Sequence, residues 1–397
     1  MRRETGHYEV TIAGGESVRS FVPYPLPPAN PPLDLSGAIS ERLRAAEQAL
    51  VRLELAGAMV PSMDWFIYAF VRKEAVISSQ IEGTQATLVD LLNYEAAEPS
   101  ATPVAPSADV EEVCNYLDAL HYARAELADP RGSPLSMRLL NGTHARLMRG
   151  VRGATKLPGE VRRSQNWIGG SRPGNAAFVP TPPHLLPDAL SALERYIHAD
   201  AALPPLVRAG LLHVQFETIH PYLDGNGRIG RLLVSLLLEH WGLLTRPLLY
   251  LSLFFKRHRA EYYRRLNGVR VDGDWEAWLD YFLDGVATIA DEAVAAARDL
   301  FSLVGTDRAR LLGRSDVSVA ALRLFEGLPR SPILTAGTVV NALGVSRPTA
   351  GRAIDTLIEA GVLVETTGRR RDRSFAYEGY LQRLREGTEL GDAPHST

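Results

Sequence analysis

The chain has 397 residues, of which 46% are hydrophobic and 22% are charged, and its formal net charge at pH 7 is -3. This length allows two or three domains with cores of their own, and the composition excludes an intrinsically disordered chain. A net charge so close to zero argues against nucleic-acid binding by overall electrostatics, although a local basic patch stays compatible with it. The single cysteine, Cys114, excludes an internal disulfide and fits a reducing compartment.

The most apolar stretch is too short to span a membrane. Residues 232–238 are followed at once by Glu239 and His240, well short of the roughly 18 apolar residues that a span needs. The first ten residues lack the apolar core of a secretory signal. We therefore expect a cytoplasmic protein without a membrane partner.

The first 150 residues are predicted to form an irregular arm followed by helices. The prolines within residues 21–28 exclude a helix or a central strand there, so residues 1–35 are expected to be an extended arm in a groove of the protein itself. From Leu33 onward, apolar residues recur at helical intervals. The predicted helices lie near residues 43–55, 65–80, 108–127 and 135–148, with a linker rich in Pro, Ala and Ser at 99–106.

Residues 150–183 interrupt the helical pattern. Residues 165–168 and 177–179 flank a Gly-rich turn at 169–174, which predicts a β-hairpin. The expected core is therefore all-α with one small hairpin. Helices are predicted to resume at residues 184–200, 204–218, 226–242, 257–268 and 273–303.

Beyond residue 305 the pattern predicts a small winged-helix domain. A Gly-Val-Ser turn at 344–346 joins two short helices, as in a helix-turn-helix. Residues 315–380 hold eight arginines against seven acidic residues. Both DNA binding through residues 346–373 and protein docking therefore stay open. The predicted helices are 317–325, 335–343 and 346–360, and the predicted strands are 362–365 and 374–377, which enclose a basic wing at 368–373.

The segment that carries chemistry is 220–231, with the sequence HPYLDGNGRIGR. Three glycines before an apolar run predict a loop and then a helix N-terminus, whose free N–H groups bind phosphate. His220 is a proton acceptor near neutral pH, and Asp224 is an oxygen ligand suited to Mg²⁺. Arg228 and Arg231 can add charge-assisted hydrogen bonds to phosphate. These residues together predict phosphoryl or nucleotidyl transfer.

Other glycine-rich motifs fit this segment less well. GNGRIG matches the dinucleotide-binding fingerprint, but a helix instead of a strand is predicted before it. An EF-hand starting at Asp224 lacks its glycine at position six and has Ser235 in place of the final glutamate. A merely flexible turn accounts for the glycines, but not for His, Asp, Asn and two Arg together.

Residues 220–231 resemble the signature of Fic (filamentation-induced-by-cAMP) proteins, H-P-F-x-D/E-G-N-G-R-x-x-R, with Tyr222 in place of the usual phenylalanine. The resemblance extends from the arm to about residue 300. It implies an all-α Fic-type helical core with a β-hairpin flap, followed by a C-terminal winged-helix domain. The implied domains are 1–105 for the N-terminal arm and inhibitory helix region, 106–304 for the Fic catalytic core and 305–397 for the winged helix and tail.

The resemblance also implies a reaction, because Fic proteins usually transfer AMP from ATP to a Ser, Thr or Tyr hydroxyl of a target protein. His220 would deprotonate that hydroxyl, Asp224 would hold Mg²⁺, and the target would dock on the flap near residues 166–180. Gly225, Asn226 and Gly227 would form the anion hole, and Arg228 and Arg231 would meet the triphosphate. The other nucleotide-binding residues implied are Gly230, Ile168, Gly169, Gly170, Tyr262 and Tyr263.

Residues 78–83 resemble the inhibitory motif of the same family, S/T-x-x-x-E-G/N, through Ser78, Glu82 and Gly83. Taken alone, the segment is a helix that ends at glycine and carries a solvated glutamate. The resemblance implies that Glu82 pairs with Arg231 and puts a carboxylate where the γ-phosphate should bind. The sequence thus predicts an autoinhibited adenylyltransferase.

Other functions stay open beside this one. The chain is also compatible with a DNA-binding regulator whose Fic core senses a nucleotide, and with transfer or removal of another phosphate-linked group. Self-modification and a homodimer fit the sequence as well.

Overall fold

The computed structural model describes residues 3–59, 63–97, 106–200, 202–369 and 373–390. Most of these residues are helical, with two small antiparallel sheets, which confirms the predicted helical fold. Within these ranges no helix combines the length and the apolarity needed to cross a membrane. The helices are α1 (Ala38–Met59), α2 (Met63–Ile81), α3 (Leu88–Ala96), α4 (Ala108–Ala128), α5 (Met137–Leu147), α6 (Leu186–His198), α7 (Pro205–Ile219), α8 (Asn226–His240), α9 (Ser252–Arg257), α10 (Arg259–Asp272), α11 (Trp275–Leu312), α12 (Val319–Gly327), α13 (Ala336–Leu343), α14 (Arg347–Glu359) and α15 (Glu378–Leu384). The strands are β1 (Gly6–Ala13), β2 (Glu16–Pro23), β3 (Ile333–Thr335), β4 (Val364–Glu365) and β5 (Ser374–Ala376).

Helices α7 and α8 form the centre of the core and carry the loop of residues 220–225 between them. Every residue of α7 after its first is buried, because α6, α8, α11 and β2 pack around it. Gly210 allows α11 to approach closely, since a Cβ at this position would lie 3.0 Å from Cδ1 of Phe282. The indole Nε1 of Trp278 donates to the carbonyl of Gly210 at 2.9 Å. The loop therefore starts from a helix that is fixed on all sides.

The N-terminal arm is not irregular as predicted, because β1 and β2 form a hairpin paired from Gly6–Pro23 to Ala13–Glu16. Gly14 and Gly15 at its turn both have positive φ, 57° and 83°, the backbone that a two-residue hairpin turn requires. A Gly-Gly step between two β-rich runs was the signal in the sequence. The prediction rested instead on the prolines within residues 21–28, of which Pro23 is the last residue of β2 and the others follow the hairpin.

The predicted flap hairpin is present in a reduced form. Ile168 and Phe178 form one antiparallel bridge, in which each backbone N–H donates to the other's carbonyl at 2.8 and 3.1 Å. The N–H of Phe21 in β2 donates to the carbonyl of Val179 at 2.8 Å. The N-terminal hairpin therefore supports the flap through backbone bonds.

The C-terminal segment contains the predicted helices α12, α13 and α14 and the predicted strands β4 and β5. The structure adds β3, so that the second sheet has the order β3-β5-β4, and it adds α15. Of the predicted basic wing, residues 370–372 lie outside the described residues. The winged-helix assignment and the domain limits stay predictions.

Helix α3, which has nine residues, was not predicted. It begins at a capping box, in which Thr87 accepts from the N–H of Asp90 while the Asp90 carboxylate accepts from the N–H of Thr87 at 2.8 Å. The helix begins five residues after segment 78–83 and contacts β3 of the C-terminal segment.

Helix α11 offers a test of the core, because it has a buried and an exposed leucine. Leu279 is fully buried against α7, whereas Leu312 is half exposed. We expect Leu279→Ala to lower the free energy of unfolding by about 2–5 kcal/mol, since it removes buried methyl groups and leaves a cavity. Leu312→Ala, measured by the same denaturant titration, should change it by less than about 1 kcal/mol. Equal losses in the two variants would contradict the described core.

Candidate active site

The loop between α7 and α8 is closed by the side chain of Asn226. Its Oδ1 accepts from the N–H of Tyr222 at 2.8 Å, and its Nδ2 donates to the carbonyl of Tyr222 at 2.8 Å. Both groups are buried. The Asn226 side chain therefore holds the loop together, while its backbone N–H stays at the start of the helix. Asn226, one of the residues predicted to form the anion hole, therefore also stabilises the loop through its side chain.

The first turn of α8 contains N–H groups that have no acceptor within the helix. Gly225 precedes the helix with a left-handed backbone (φ 77°), and the first helical bond is donated by Ile229 N to Gly225 O at 3.0 Å. By helix geometry, the N–H groups of Asn226, Gly227 and Arg228 have no carbonyl one turn earlier in the helix. A helix start of this kind binds anions through N–H groups and the helix dipole.

Arg162 supports the loop from beneath and was missed by the sequence analysis. Its Nε donates to the carbonyl of His220 at 2.9 Å, its Nη1 donates to that of Ser164 at 3.2 Å, and its Nη2 donates to that of Thr181. Burial lowers the pKa of Arg162 to about 10, so the side chain stays charged at neutral pH. These bonds hold His220 in a left-handed backbone (φ 52°), which is rare for a residue other than glycine.

His144 of α5 is a second support that the sequence did not reveal. Its ring stacks on Tyr222 with a centroid distance of 3.9 Å. Because the N–H of Gly159 donates to Nδ1 at 2.8 Å, the ring proton is on Nε2, which donates to the carbonyl of Asp224 at 3.0 Å. Burial lowers the pKa of His144 to about 4, so the ring is neutral at pH 7. A histidine on the apolar face of a helix carries no sequence signal for this role.

His220 is oriented as a proton acceptor. Its Nδ1 lies 3.3 Å from the carbonyl oxygen of Glu217, so Nδ1 carries the proton and Nε2 is left with a free lone pair. Burial, together with the positive charges of Arg270 and Arg162, lowers the pKa of His220 to about 3. The side chain is still 19% exposed. The ring is therefore neutral at pH 7 and accessible.

The carboxyl group of Glu217 is buried beside His220. Its Oε2 lies 4.0 Å from Nδ1 of His220, and its Oε1 has no hydrogen-bond partner among the described residues. A Cβ at Gly230 would lie only 2.4 Å from that Oε1. Gly230 thus makes room for the carboxyl group, and burial raises the pKa of Glu217 to about 7.

Glu82 and Arg231, which were predicted to pair, meet at the start of α8 together with Ser78. The Nε of Arg231 donates to Oγ of Ser78 at 2.9 Å, and its Nη2 donates to the Ser78 carbonyl and to Oε1 of Glu82, both at 2.8 Å. Burial by itself raises the pKa of Glu82, but Arg231 outweighs this effect and holds the pKa below its ordinary value. Glu82 is therefore ionised at neutral pH.

The Glu82 carboxylate also lies against the first turn of α8. A Cβ at Gly227 would come within 2.2 Å of Oε1 of Glu82, so only glycine allows this approach. The next residue, Gly83, has a positive φ of 100°, a backbone conformation that glycine adopts without strain. The side chain of Arg231 is almost fully buried, whereas that of Glu82 is 33% exposed. The acidic partner of the pair is thus the accessible one.

Asp224 and Arg228 stand at the other side of the helix start. Oδ1 of Asp224 accepts from the N–H of Gly225 at 2.6 Å and lies 3.7 Å from Nη2 of Arg228. The described residues contain no group of three or more His, Cys, Asp and Glu side chains that would hold a metal. The Asp224 carboxylate is 40% exposed. A single carboxylate of this kind fits a Mg²⁺ ion whose other ligands are phosphate oxygens and water.

The remaining predicted residues have different surroundings. Tyr262 is buried, and its hydroxyl lies 2.8 Å from Nε2 of His213. Tyr263, by contrast, is 43% exposed, so it is the accessible member of this pair. In the flap, Gly169 and Gly170 are exposed with positive φ, and Ile168 is partly exposed beside them.

Two family models match the chain. Residues 40–125 match the model described as Fic/DOC family N-terminal, and residues 134–238 match the Fic/DOC family. A probable protein adenylyltransferase from Aquifex aeolicus is 24% identical over 186 residues, which are 46% of this chain and 52% of that protein. The protein adenylyltransferase Fic of Drosophila melanogaster is 31% identical over 144 residues, which are 36% of this chain and 26% of that protein. The matches thus cover about half or less of these relatives' length.

Solved structures share the fold at low sequence identity. A Fic family protein from Desulfovibrio desulfuricans has a TM-score of 0.54 and 21% identity, covering 87% of this chain and 98% of that one. A Fic domain containing signaling protein from Bacteroides thetaiotaomicron has a TM-score of 0.50 and 21% identity, covering 65% of this chain and 97% of that one.

The buried Glu217 predicts a pH dependence of stability. Because its pKa is raised from 4.5 to about 7, the folded state binds more protons than the unfolded state between these values. The contribution to stability is therefore present at low pH and is lost as the pH rises through 7. Glu217→Gln, which is neutral at every pH, should be more stable than the wild type at pH 8 by up to about 3 kcal/mol.

Unfolding by denaturant at pH 4.5 and pH 8 checks this expectation. The two proteins should differ little at pH 4.5, where Glu217 is protonated in the folded state. Glu41→Gln, at an exposed position of α1, is the control and should leave the pH dependence unchanged. A Glu217→Gln variant with the wild-type pH slope would contradict the assignment.

Proposed function

We propose that this chain, which belongs to the Fic/DOC family by its two matched segments, is a protein adenylyltransferase. It would transfer AMP from ATP to a hydroxyl of a target protein. One observation carries the proposal: a neutral, accessible imidazole, a carboxylate and two buried arginines meet at the N-terminus of α8. The names of the relatives in Aquifex and Drosophila support the same reaction.

His220 would act as the general base. Its Nε2 takes the proton of the target hydroxyl while the hydroxyl oxygen attacks the α-phosphorus of ATP. The new O–P bond forms, the bond between the α-phosphorus and the bridging oxygen breaks, and pyrophosphate leaves. The Nδ1–H contact to the Glu217 carbonyl at 3.3 Å holds the ring in the tautomer that this step needs. The lowered pKa of His220 keeps the ring unprotonated at physiological pH, so its Nε2 lone pair is available.

The N-terminus of α8 would bind the triphosphate. Its negative charge would be stabilised by the N–H groups of the first turn and by the guanidinium groups of Arg228 and Arg231. Asp224 is the residue that would hold Mg²⁺, and the ion would neutralise phosphate charge when bound. Since Asn226, His144 and Arg162 already fix the loop, the donors are oriented before ATP arrives.

Glu82 would inhibit the enzyme by competing with phosphate. Its carboxylate is bonded to Arg231 and lies against Gly227, which are the groups that the γ-phosphate would need. An anion at the start of a helix is favourable, so the carboxylate satisfies the site in the absence of a nucleotide. ATP would then bind with its phosphates displaced from the position suited to in-line attack.

The target segment would pair with the flap. The flap is held by the bond from Phe21 to Val179 and by Arg270, whose guanidinium lies 4.0 Å from the ring centre of Phe178. An extended target segment bound along this edge would have its register set by backbone hydrogen bonds. Self-modification would use the same geometry with an acceptor on the chain itself.

We expect Glu82→Gly to incorporate AMP faster than the wild type, because Arg231 becomes free for the γ-phosphate. With Mg²⁺ and ATP, intact mass should show a gain of one AMP, either on the chain itself or on an added target. In Glu82→Gly/His220→Ala the rate should fall at least about a hundredfold, since the general base is lost.

Gln85→Gly is the matched control, because it adds a glycine to the same exposed segment without touching Arg231. It should keep the wild-type rate. If Glu82→Gly were no faster than Gln85→Gly, inhibition by Glu82 would be refuted. If the His220→Ala double variant kept the rate, the assigned base would be wrong.

A DNA-binding role is the second candidate, supported by the arrangement of the C-terminal segment. Helices α13 and α14 are joined at Gly344, which has a left-handed backbone (φ 64°), and Ser346 caps α14 by accepting from the N–H of Thr349. Arg347 and Arg352 are exposed on α14. A winged-helix domain would present such a helix to the major groove.

Duplex binding measured against salt concentration tests this candidate. If α14 contacts phosphate, Arg347→Ala and Arg352→Ala should each weaken binding and reduce the slope of log K against log salt by about 1. Arg195→Ala, an exposed arginine on α6, should leave the slope unchanged. Absence of salt-dependent binding by the wild type would exclude the role.

A further inference from the structure

The carboxylate of Glu112 on α4 is an almost completely buried charge, with 1% of its side chain exposed. Its Oε2 accepts from Oγ1 of Thr84 at 2.8 Å and from Nη1 of Arg228 at 3.3 Å. Nε of Arg152 lies 3.4 Å from its Oε1. A carboxylate removed from water in this way requires a counter-charge and hydrogen-bond donors. Glu112 finds them in one arginine of the phosphate site and in a residue next to the inhibitory motif.

On the side of the phosphate site, Glu112 is the nearest carboxylate to the guanidinium of Arg228. The other contacts of this guanidinium are Sδ of Met148 at 3.6 Å and Oδ1 of Asp224 at 3.7 Å, both from Nη2. Its Nε has no hydrogen-bond partner among the described residues. The position of the Arg228 side chain therefore depends mainly on Glu112.

On the side of the inhibitory motif, Glu112 holds the turn that follows α2. Thr84 comes two residues after Glu82 and is buried, and its N–H donates to the carbonyl of Ser79 at 3.2 Å. Its hydroxyl donates to Glu112 as the second fixed point. The segment from 79 to 84 is thus held at Thr84 by Glu112, two residues after the contact between Glu82 and Arg231.

We propose that Glu112 is a positioning residue with two effects: it fixes Arg228 for the triphosphate, and through Thr84 it holds Glu82 in its inhibitory place. The inference rests on the proposed function, since it assumes that ATP binds at the start of α8. The two arginines then differ in kind. Arg231 is paired with an accessible carboxylate that ATP can displace, whereas Arg228 keeps its buried partner in both states.

The first test uses Glu112→Gln in the Glu82→Gly background, where inhibition is absent. The amide keeps the shape of the side chain but loses the charge that holds Arg228. The Kd for Mg-ATP, measured by calorimetry, and the KM for ATP should both rise about tenfold, as expected for the loss of one charge-assisted hydrogen bond. The kcat should stay unchanged, because His220 is untouched.

Two further variants keep this test decisive. Glu111→Gln, one residue earlier and partly exposed, is the matched control and should bind ATP like its parent. Glu112→Asp keeps the charge, but its shorter side chain places the carboxylate farther from Arg228, so this variant should weaken ATP binding as well. If Glu112→Gln does not fold, the Kd of Glu112→Asp is the deciding measurement. An unchanged Kd in a folded Glu112 variant would overturn the role toward Arg228.

The second test uses Thr84→Val and Thr84→Ser in the otherwise wild-type chain. Loss of the hydroxyl should release the inhibitory segment and raise AMP incorporation about tenfold, the effect of one hydrogen bond to a charged carboxylate, whereas Thr84→Ser should keep the wild-type rate. In the Glu82→Gly background, Thr84→Val should change nothing. A Thr84→Val chain as slow as the wild type would overturn the role toward Glu82.

Failure of the proposed function would look different. If Glu82→Gly bound Mg-ATP but incorporated no AMP, adenylyl transfer would be refuted, and the Kd of the Glu112 variants would still decide whether Glu112 positions Arg228.

Discussion

Two guanidinium groups are buried at the N-terminus of α8, and each must face a negative charge. Water does not reach them, and the start of a helix is itself positive, so without carboxylates the charges would be very costly. Glu82 from the end of α2 faces Arg231, and Glu112 from α4 faces Arg228. This requirement ties the N-terminal helices to the core: the chain before residue 134 supplies the counter-charges that the segment after residue 220 needs.

The same site must keep a strained loop in one conformation. His220 has a left-handed backbone conformation that is usual only for glycine. Such a conformation persists only where the surrounding structure stabilises it. Asn226 closes the loop, Arg162 binds the His220 carbonyl, and His144 binds that of Asp224. Because these bonds are buried or partly buried, the imidazole and the first N–H groups of α8 keep their relative positions without a ligand.

In the proposed reaction, inhibition and catalysis would share one set of donors. The Glu82 carboxylate and the γ-phosphate would compete for Arg231 and for the first turn of α8, so any event that moves the end of α2 would change the occupancy of the site. The end of α2 contacts other parts of the chain as well: Nε2 of Gln80 donates to the carbonyl of Thr388 at 2.8 Å, and α3 packs on β3. The C-terminal segment is therefore in physical contact with the region that carries Glu82.

The sequence by itself determined the helical fold, the approximate helix positions and the segment 220–231, because apolar periodicity and glycine-rich loops are local patterns. Segment 78–83 was singled out only by its resemblance to a family motif. The sequence could not determine that the hairpin of residues 6–23 supports the flap, nor that Tyr262 is buried while Tyr263 is exposed. Only the tertiary structure decided that Arg162, His144 and Glu112 hold the site. The physical reason is that these side chains act through partners more than fifty residues away, and a buried charge or a fixed tautomer depends on which elements meet in space.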